Sequence, residues 1–173
     1  MNLRKQAIFD FVKSVLPSDF KNKIYWINER KDEPKKPFCL LQAVVPEQTD
    51  SRTTERELAG NIQEIIMYKN MVVTFAIYAE GIAEKHDLDE QNYFAESNAV
   101  KLKNNFETLD TAFEFLANGM SVNSISALRD LTGVVSGGYV FRYEFDVTFG
   151  FNDVMKIQKE VGKDVVLNIE RKN

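Results

Sequence analysis

The amino-acid sequence predicts an α+β protein whose mostly antiparallel sheet is covered on one face by helices. Apolar residues recur at helical spacing in 3–15 and again in 90–118, and short apolar runs typical of strands lie between and after these segments. In residues 139–151, YVFRYEFDVTFGF, every odd-numbered position is apolar, and Arg142, Glu144, Asp146 and Thr148 lie between them. An order of helix, strands, helices and strands is typical of helices packed on an antiparallel sheet.

Composition is that of an ordinary soluble domain, because 44% of the 173 residues are hydrophobic and 28% are charged. The formal net charge of −4 argues against a dedicated nucleic-acid binder, which normally carries a basic patch. Cys39 is the single cysteine and cannot form an internal disulfide. Asp10 and Lys13 interrupt the N-terminal apolar run before it resembles a signal peptide, and no run approaches the ~20 apolar residues of a membrane span. We therefore expect a soluble protein of cytoplasmic origin.

The first part of the chain predicts one helix and two strands. Residues 3–15 have the spacing of an amphipathic helix that stops before Pro17. Residues 23–29, KIYWINE, are rich in strand-forming side chains. The nearly continuous apolar run 38–45, FCLLQAVV, predicts a central strand that is buried on both faces.

A long loop and a hairpin are predicted next. Residues 46–60 are polar, mixed in charge and without period, which indicates a loop of a length that is often functional. Residues 61–81 contain two strand-like halves separated by Tyr68, Lys69 and Asn70. This break predicts a hairpin with its tip at those three residues.

The main helical region spans 82–119. Asp89 suits the N-cap position and Gly119 suits the terminator. Two apolar stripes are expected, one in each of two successive helices: Phe94, Ala95, Ala99, Leu102 and Phe106 in the first, and Leu109, Ala112, Phe113 and Leu116 in the second.

Strands return in 121–138, which ends in a turn at Gly137 and Gly138. The odd-numbered side chains of 139–151 are apolar and are expected to anchor the sheet beneath the helices. Three of the even-numbered positions, Arg142, Glu144 and Asp146, carry charge. This long strand therefore has one face for the core and one face whose charges the fold does not explain.

The C-terminal tail is more polar than the strand before it. Its weakly apolar segment predicts an arm or an edge strand. We therefore divide the chain into a single domain, 1–152, and an arm, 153–173.

No constellation of reactive residues indicates an enzyme. His86 is the only histidine, and its acidic neighbours suit the start of a helix better than a metal site, because no second ligand cluster accompanies them. Cys39 lies in an apolar run, where a thiol is usually inert. The glycines of 133–138 precede a strand and lack the Gly-Lys-Ser/Thr ending of a phosphate loop, so they predict turns. A binding or assembly module without catalytic residues, cofactor or metal is the favoured interpretation.

The order of several segments resembles that of the phage neck and tail terminator proteins. It runs from the helix MNLRKQAIFDFVKSVLP through the strands IYWINE, PKKPFCLLQ and VVTFAIYAEG to a helix with spaced alanines and the final strand RYEFDVTFGF. The resemblance covers roughly 1–152. Its most specific parts lie before the second strand and in the last one: Pro34, Pro37, Arg142, Asp146 and Phe149.

This resemblance implies a tail-terminator-like fold and a structural virion protein of a tailed bacteriophage, assembled in the host cytoplasm and located in the neck. Proteins of this kind form rings, hexameric in the family, that cap the tail tube and join it to the head-side connector or neck proteins. DNA would pass only as cargo, and no membrane would be involved. A ring needs two unlike, complementary surfaces on each subunit. The residues expected to contact neighbours or the tube are Arg142, Glu144, Asp146, Arg52, Arg56, Tyr68, Lys69 and Asn70.

Two other functions stay open on the residues alone. One is a small cytoplasmic ligand-binding or regulatory domain with a pocket between the sheet and the 90–118 helices. The other, ranked last, is an enzyme that uses His86 and its acidic neighbours. The charged face of 139–151 also fits simple exposure to solvent.

Overall fold

The fold is known from a computed structural model, which describes residues 3–27, 34–58, 62–81, 87–135 and 138–158. Three α-helices and seven strands lie in this part of the chain, with a short 3₁₀ turn at Ser18–Phe20 after the first helix. The elements are α1 (Leu3–Val15), β1 (Ile24–Trp26), β2 (Phe38–Leu58), β3 (Ile62–Gly81), α2 (Asp87–Phe106), α3 (Leu109–Ala117), β4 (Met120–Ile125), β5 (Arg129–Asp130), β6 (Gly133–Val135) and β7 (Gly138–Gln158).

All seven strands belong to one sheet with the main order β1-β2-β3-β7-β4. The short strands β5 and β6 pair with β7 as well. Only the β1–β2 pairing is parallel among the described strands. The predicted α+β class, with a mostly antiparallel sheet and helices on one face, is therefore confirmed.

The core lies between the helices and one face of the sheet. Odd-numbered side chains of β3 and β7 point to this face, as the strict alternation in the sequence predicts. Phe106 of α2 lies at the centre, and its ring centroid is 4.6 Å from that of Phe11, 5.0 Å from Phe75 and 6.0 Å from Phe149. These distances are typical of aromatic pairs that contribute beyond the area they bury.

The strand β3 runs without a break through the position of the predicted hairpin tip. Its pairing with β7 is continuous from Ile62 opposite Gln158 to Gly81 opposite Tyr139. The hairpin prediction at Tyr68–Asn70 is wrong, because β2 ends at Leu58 and β3 already begins at Ile62. Two of the residues that suggested a turn have partners across the sheet, since Lys69 binds Asp153 and Asn70 accepts a hydrogen bond from Asn123.

The predicted loop 46–60 is also wrong, because β2 continues to Leu58. Its pairing with β3 is interrupted by register shifts between Ala43 and Val45, Val45 and Gln48, and Thr49 and Thr53. Extra residues at such irregularities destroy the two-residue period that identifies a strand. The segment therefore looks like a loop in sequence although its backbone is paired.

The first half of β2 is not buried on both faces. Cys39 and Leu41 are in the core, but Leu40 is half-buried and Val44 is exposed. Phe38 is the exception on the opposite face, where its ring stacks on that of Tyr78 at 4.4 Å. The strand does lie inside the sheet, between β1 and β3.

The two helices of the main helical region form as predicted, with different ends and faces. The stripe of α2 is confirmed, since Ala95, Ala99, Leu102 and Phe106 are buried. The helix begins at Asp87, so Asp89 lies within its first turn and not at its N-cap. In α3, Thr108 is the N-cap and accepts a hydrogen bond from the Thr111 amide.

The apolar stripe predicted for α3 faces away from the core. The buried residues of α3 are Thr111 and Phe115, whereas Leu109, Phe113 and Leu116 are exposed. Gly119 follows the helix with φ +70°, the left-handed conformation that favours glycine at a helix end.

The division predicted at residue 152 falls inside β7, which pairs with β3 as far as Gln158. Residues 159–173 lie outside the described part of the chain, as do Gly137 and His86. The arm at 153–173 as a separate unit stays a prediction.

A core test compares two phenylalanines in neighbouring helices. Phe106→Ala removes a ring that is 2% exposed and packed among other aromatic rings, so we expect the free energy of unfolding to fall by about 3–5 kcal/mol. Phe113→Ala removes an exposed ring and should change it by less than about 0.5 kcal/mol. Urea unfolding of dilute protein measures both, and equal losses would contradict the packing described here.

Candidate assembly surfaces

The face of the sheet opposite the helices, here called the outer face, carries the even-numbered side chains of β3 and β7. Arg142, Glu144 and Asp146 follow one another along β7 on this face. Across the ladder they lie opposite Tyr78, Ala76 and Thr74 of β3. The structure therefore brings together the three charged residues that the sequence placed on one face.

An arginine from a separate short strand joins these charges. Arg129 of β5 pairs with Glu144 in the sheet, and its guanidinium donates to Asp146 Oδ2 at 2.8 Å and to Glu144 Oε1 at 3.2 Å. Arg142 donates to the other oxygen of Glu144 at 2.6 Å, and the Thr74 hydroxyl donates to Asp146 Oδ1 at 2.6 Å. We call these five residues the outer-face network.

The outer-face network is electrically balanced and partly removed from water. Two guanidinium groups face two carboxylates, and Glu144 is only 8% exposed. The hydrogen bond from Arg129 holds the pKa of Asp146 below its usual range, against the opposing effect of desolvation. Both carboxylates therefore have hydrogen-bond donors within the subunit.

Arg129 was missed in the sequence because it lies in a two-residue strand within a segment that has no clear period. Nothing in "ALRDL" links it to β7. Only the pairing of β5 with β7 places its guanidinium over the charged residues of the outer face.

Arg142 also packs against aromatic rings. Its guanidinium carbon lies 5.4 Å from the centre of the Tyr78 ring, which stacks on Phe38. Contacts of this kind cover the middle of the outer face with side chains from the sheet itself.

The other predicted contact residues lie towards the far ends of β2 and β3. Tyr68 is exposed on the outer face, and Asn70 on the same face accepts a hydrogen bond from Asn123 at 3.1 Å. Arg56 is exposed on β2, opposite Glu64. Arg52 is part of β2, but its side chain lies outside the described residues.

Lys69 points to the helix side of the sheet and not to the outer face. It binds Asp153 at 2.6 Å, and Arg4 of α1 binds the same carboxylate at 2.7 Å. Burial raises the pKa of Asp153, but hydrogen bonds from Lys69 and Arg4 outweigh it and hold that pKa below its usual range. Asp153 of β7 is therefore linked to α1 by Arg4 and to β3 by Lys69.

Beyond this point the sheet continues as three paired strands without a core of their own. We call this part the distal ribbon: residues 53–58 of β2, 62–68 of β3 and 152–158 of β7. The last core residue on this side is Met71 in β3 and Phe151 in β7. Apolar side chains nevertheless occur on both faces of the distal ribbon, for example Ile65 and Met155 on the helix side and Ile66 and Val154 on the outer side.

Two places in the described part of the chain bear on the expected ligand pocket. The space that a pocket between the sheet and α2 would need is filled by Phe75, Phe106 and Phe145, whose rings are in contact. A cavity of about 210 Å³ near Lys13, Pro17 and Ile24 is smaller than most small-molecule sites.

No group of three or more His, Cys, Asp or Glu side chains that suits a metal ion occurs within the described ranges. Cys39 is fully buried, and burial raises the pKa of its thiol, which disfavours the reactive thiolate. The predicted role of His86 concerns a residue outside the described part of the chain.

A family model described as phage neck terminator protein matches residues 5–172. The chain belongs to the phage neck terminator family. The match extends past the range 1–152 over which the sequence resemblance was drawn. A search of curated proteins finds no match.

Membership identifies a bacteriophage structural protein of the tail and neck. A neck terminator is located in the virion and interacts with other phage tail or head proteins. Within the described residues, the neck terminator has no helix that is both long and apolar enough to cross a bilayer.

A test of the outer-face network uses Arg129→Met. Because this change leaves Glu144 and Asp146 with fewer donors, we expect the free energy of unfolding at pH 7 to fall by about 1–2 kcal/mol. A lowered folded-state pKa of Asp146 stabilises the protein above about pH 4, and this contribution is lost as the pH falls further. The difference between wild type and variant should therefore be constant from pH 7 to 5 and should shrink below pH 4.

Urea unfolding across this pH range measures that difference. Lys103→Met is the matched control, because Lys103 forms an ion pair with Glu107 one turn away on α2 and should cost only about 0.3–0.5 kcal/mol. Equal losses for the two variants, or a difference that does not change with pH, would show that Arg129 does not stabilise these carboxylates.

Proposed function

We propose that this neck terminator forms a ring, hexameric as the resemblance implies, that ends the tail tube and joins the tail to the head-side connector or neck proteins. The observation that carries the proposal is a sheet whose described helices lie on one face and whose outer face holds an internally balanced charge network. DNA passes through the assembly as cargo.

Ring closure requires a heterologous interface, in which two different surfaces of identical subunits meet. The outer face suits one of these surfaces. Burying an unpaired charge is costly, but the carboxylates of the outer-face network already have partners within the subunit. A neighbour can therefore cover them without leaving an isolated charge.

We assign the centre of this interface to Arg142, Glu144 and Asp146. Arg129 and Arg142 keep about two fifths of their side-chain surface exposed, so part of each guanidinium is accessible to a neighbour, although Arg142 Nε is buried. Because the charges of the outer-face network balance each other, we expect a neighbour to be held by short-range hydrogen bonds and not by long-range electrostatic attraction.

The second group of contacts lies on and near the distal ribbon. Tyr68 and Arg56 are exposed and are proposed to touch a neighbour or the tube directly, with Arg52 alongside on β2. Lys69 and Asn70 already bind Asp153 and Asn123, and we propose that they shape this surface.

The overall acidity suits a protein that surrounds DNA without holding it. A formal net charge of −4 disfavours strong contacts with phosphates, whose binding depends on clustered Lys and Arg. DNA is accordingly expected to pass the ring without stable binding.

Mass measurement in solution tests the proposal. We expect the wild-type protein to form a closed ring, by light scattering and native mass spectrometry, either alone or on purified tails that lack this protein. A stable dimer under all of these conditions would contradict ring assembly.

A charge variant tests the assigned interface. Arg142→Glu replaces an exposed donor with a like charge beside Glu144, and we expect at least tenfold weaker assembly. Asp146→Asn keeps the shape but removes the charge, and should weaken assembly less. Lys101→Glu, at an exposed position on α2, is the control. Circular dichroism and urea midpoints check that each variant folds. Rings that form normally with both Arg142→Glu and Asp146→Asn would contradict the interface role of these residues.

A further inference from the structure

The helix α3 presents an apolar stripe to solvent. Leu109 is 76% exposed, Phe113 67% and Leu116 58%. Their spacing of four and three residues places all three on one side of the helix, while Thr111 and Phe115 occupy the side that packs on the protein. We call these three residues the α3 stripe.

Three large apolar side chains on one short helix are unusual for a surface that stays in water. Scattered exposed leucines are normal, but a contiguous patch marks an interaction site. The stripe is bordered by Asp110 and Glu114, and α3 contains no basic residue. A partner should therefore offer an apolar surface edged with positive charge.

The outer side of the distal ribbon has these properties. Half-buried apolar side chains from all three strands lie on it: Leu58, Ile62, Ile66 and Val154. Arg56 and Lys156 lie on the same side, on either side of Glu64, so two cations face one carboxylate. The helix side of the ribbon is a poorer match, because Glu55 and Asp153 occur there.

We propose that the α3 stripe of one subunit docks on the outer side of the distal ribbon of a second copy of this chain. This inference rests on the proposed ring and identifies a contact within it. The docking surface is continuous with the outer-face network, since both lie on even-numbered positions of β3 and β7. Asp110 and Glu114 approach Arg56 and Lys156 across the contact.

The two surfaces are unlike, which fixes the kind of symmetry. Packing two α3 stripes on each other would bring their acidic borders together, and like charges across a contact are unfavourable. Docking the α3 stripe on the distal ribbon instead places the acidic residues beside the stripe next to the basic residues of the ribbon. An open row of docked subunits then has one free stripe at one end and one free ribbon at the other, until the row closes into a ring.

Cysteine cross-linking tests the contact directly. Phe113→Cys and Ile66→Cys are prepared separately, with native Cys39 unreactive because it is fully buried. We expect disulfide-linked dimers when the two variants are mixed under mild oxidation, and far fewer in either variant alone. Dimers of Phe113→Cys with itself would indicate a two-fold contact and overturn the proposal, as would the absence of mixed dimers.

Assembly variants separate this contact from the ring as a whole. Phe113→Asp and Ile66→Asp each remove one surface, so we expect each to be monomeric, and a mixture of the two to stop at dimers joined by the one intact pair of surfaces. Val134→Asp, at an exposed position on β6, is the control and should assemble like wild type. Normal rings from Phe113→Asp would overturn the docking contact and leave the ring intact. The absence of mixed dimers from Phe113→Cys and Ile66→Cys, together with wild-type protein that does not assemble on tails, would overturn both.

Discussion

The ladder between β3 and β7 is the constraint on which the rest of the structure depends. The two strands pair from Ile62 opposite Gln158 to Gly81 opposite Tyr139 without a register shift. Because side chains alternate between faces, a slip of one residue would exchange the core face and the outer face along the whole length. The unbroken register therefore places Phe75, Phe145 and Phe149 under the helices, and it places Glu144 and Asp146 on the other side. Both the stability of the core and the chemistry of the outer face follow from one pairing.

The same ladder is longer than the layer of helices that covers it. Residues 71–79 of β3 and 141–151 of β7 pack against α2 and its neighbours, and there the odd-numbered positions are buried. Beyond them the strands continue with apolar side chains on both faces but without a core. Burial of apolar surface is the main favourable contribution to folding, so a segment that leaves such surface half-covered gains little by itself. The difference between the two ends separates a part that stabilises the subunit from a part that is suited to contact other subunits.

Elements with a clean period were predictable from sequence, and elements whose period is broken were not. The alternation in 139–151 identified β7 and its core face, and the stripe of α2 identified its buried side. Register shifts hid the second half of β2, and paired polar residues in β3 imitated a turn. The apolar spacing in α3 indicated a helix but not which side of it packs on the protein, and Leu109, Phe113 and Leu116 are exposed. The role of Arg129 could not be predicted, because it arises from the pairing of β5 with β7. The residues around Arg129 show no strand pattern that would indicate this pairing.

The two edges of the distal ribbon bear on how a neighbouring subunit could contact it. Among the described strands, β1 pairs only with residues 39–41 of β2, and β4 ends at Phe151 of β7, so both outer strands of the distal ribbon have an open edge. Open edges with nearby apolar side chains favour uncontrolled pairing between chains. Charged side chains at Glu55, Arg56 and Glu57 oppose such pairing on one edge, as Lys156 does on the other. A neighbour that covers the ribbon from its outer side would bury the apolar residues while leaving these guarded edges in place, and this favours contact through faces over addition of strands.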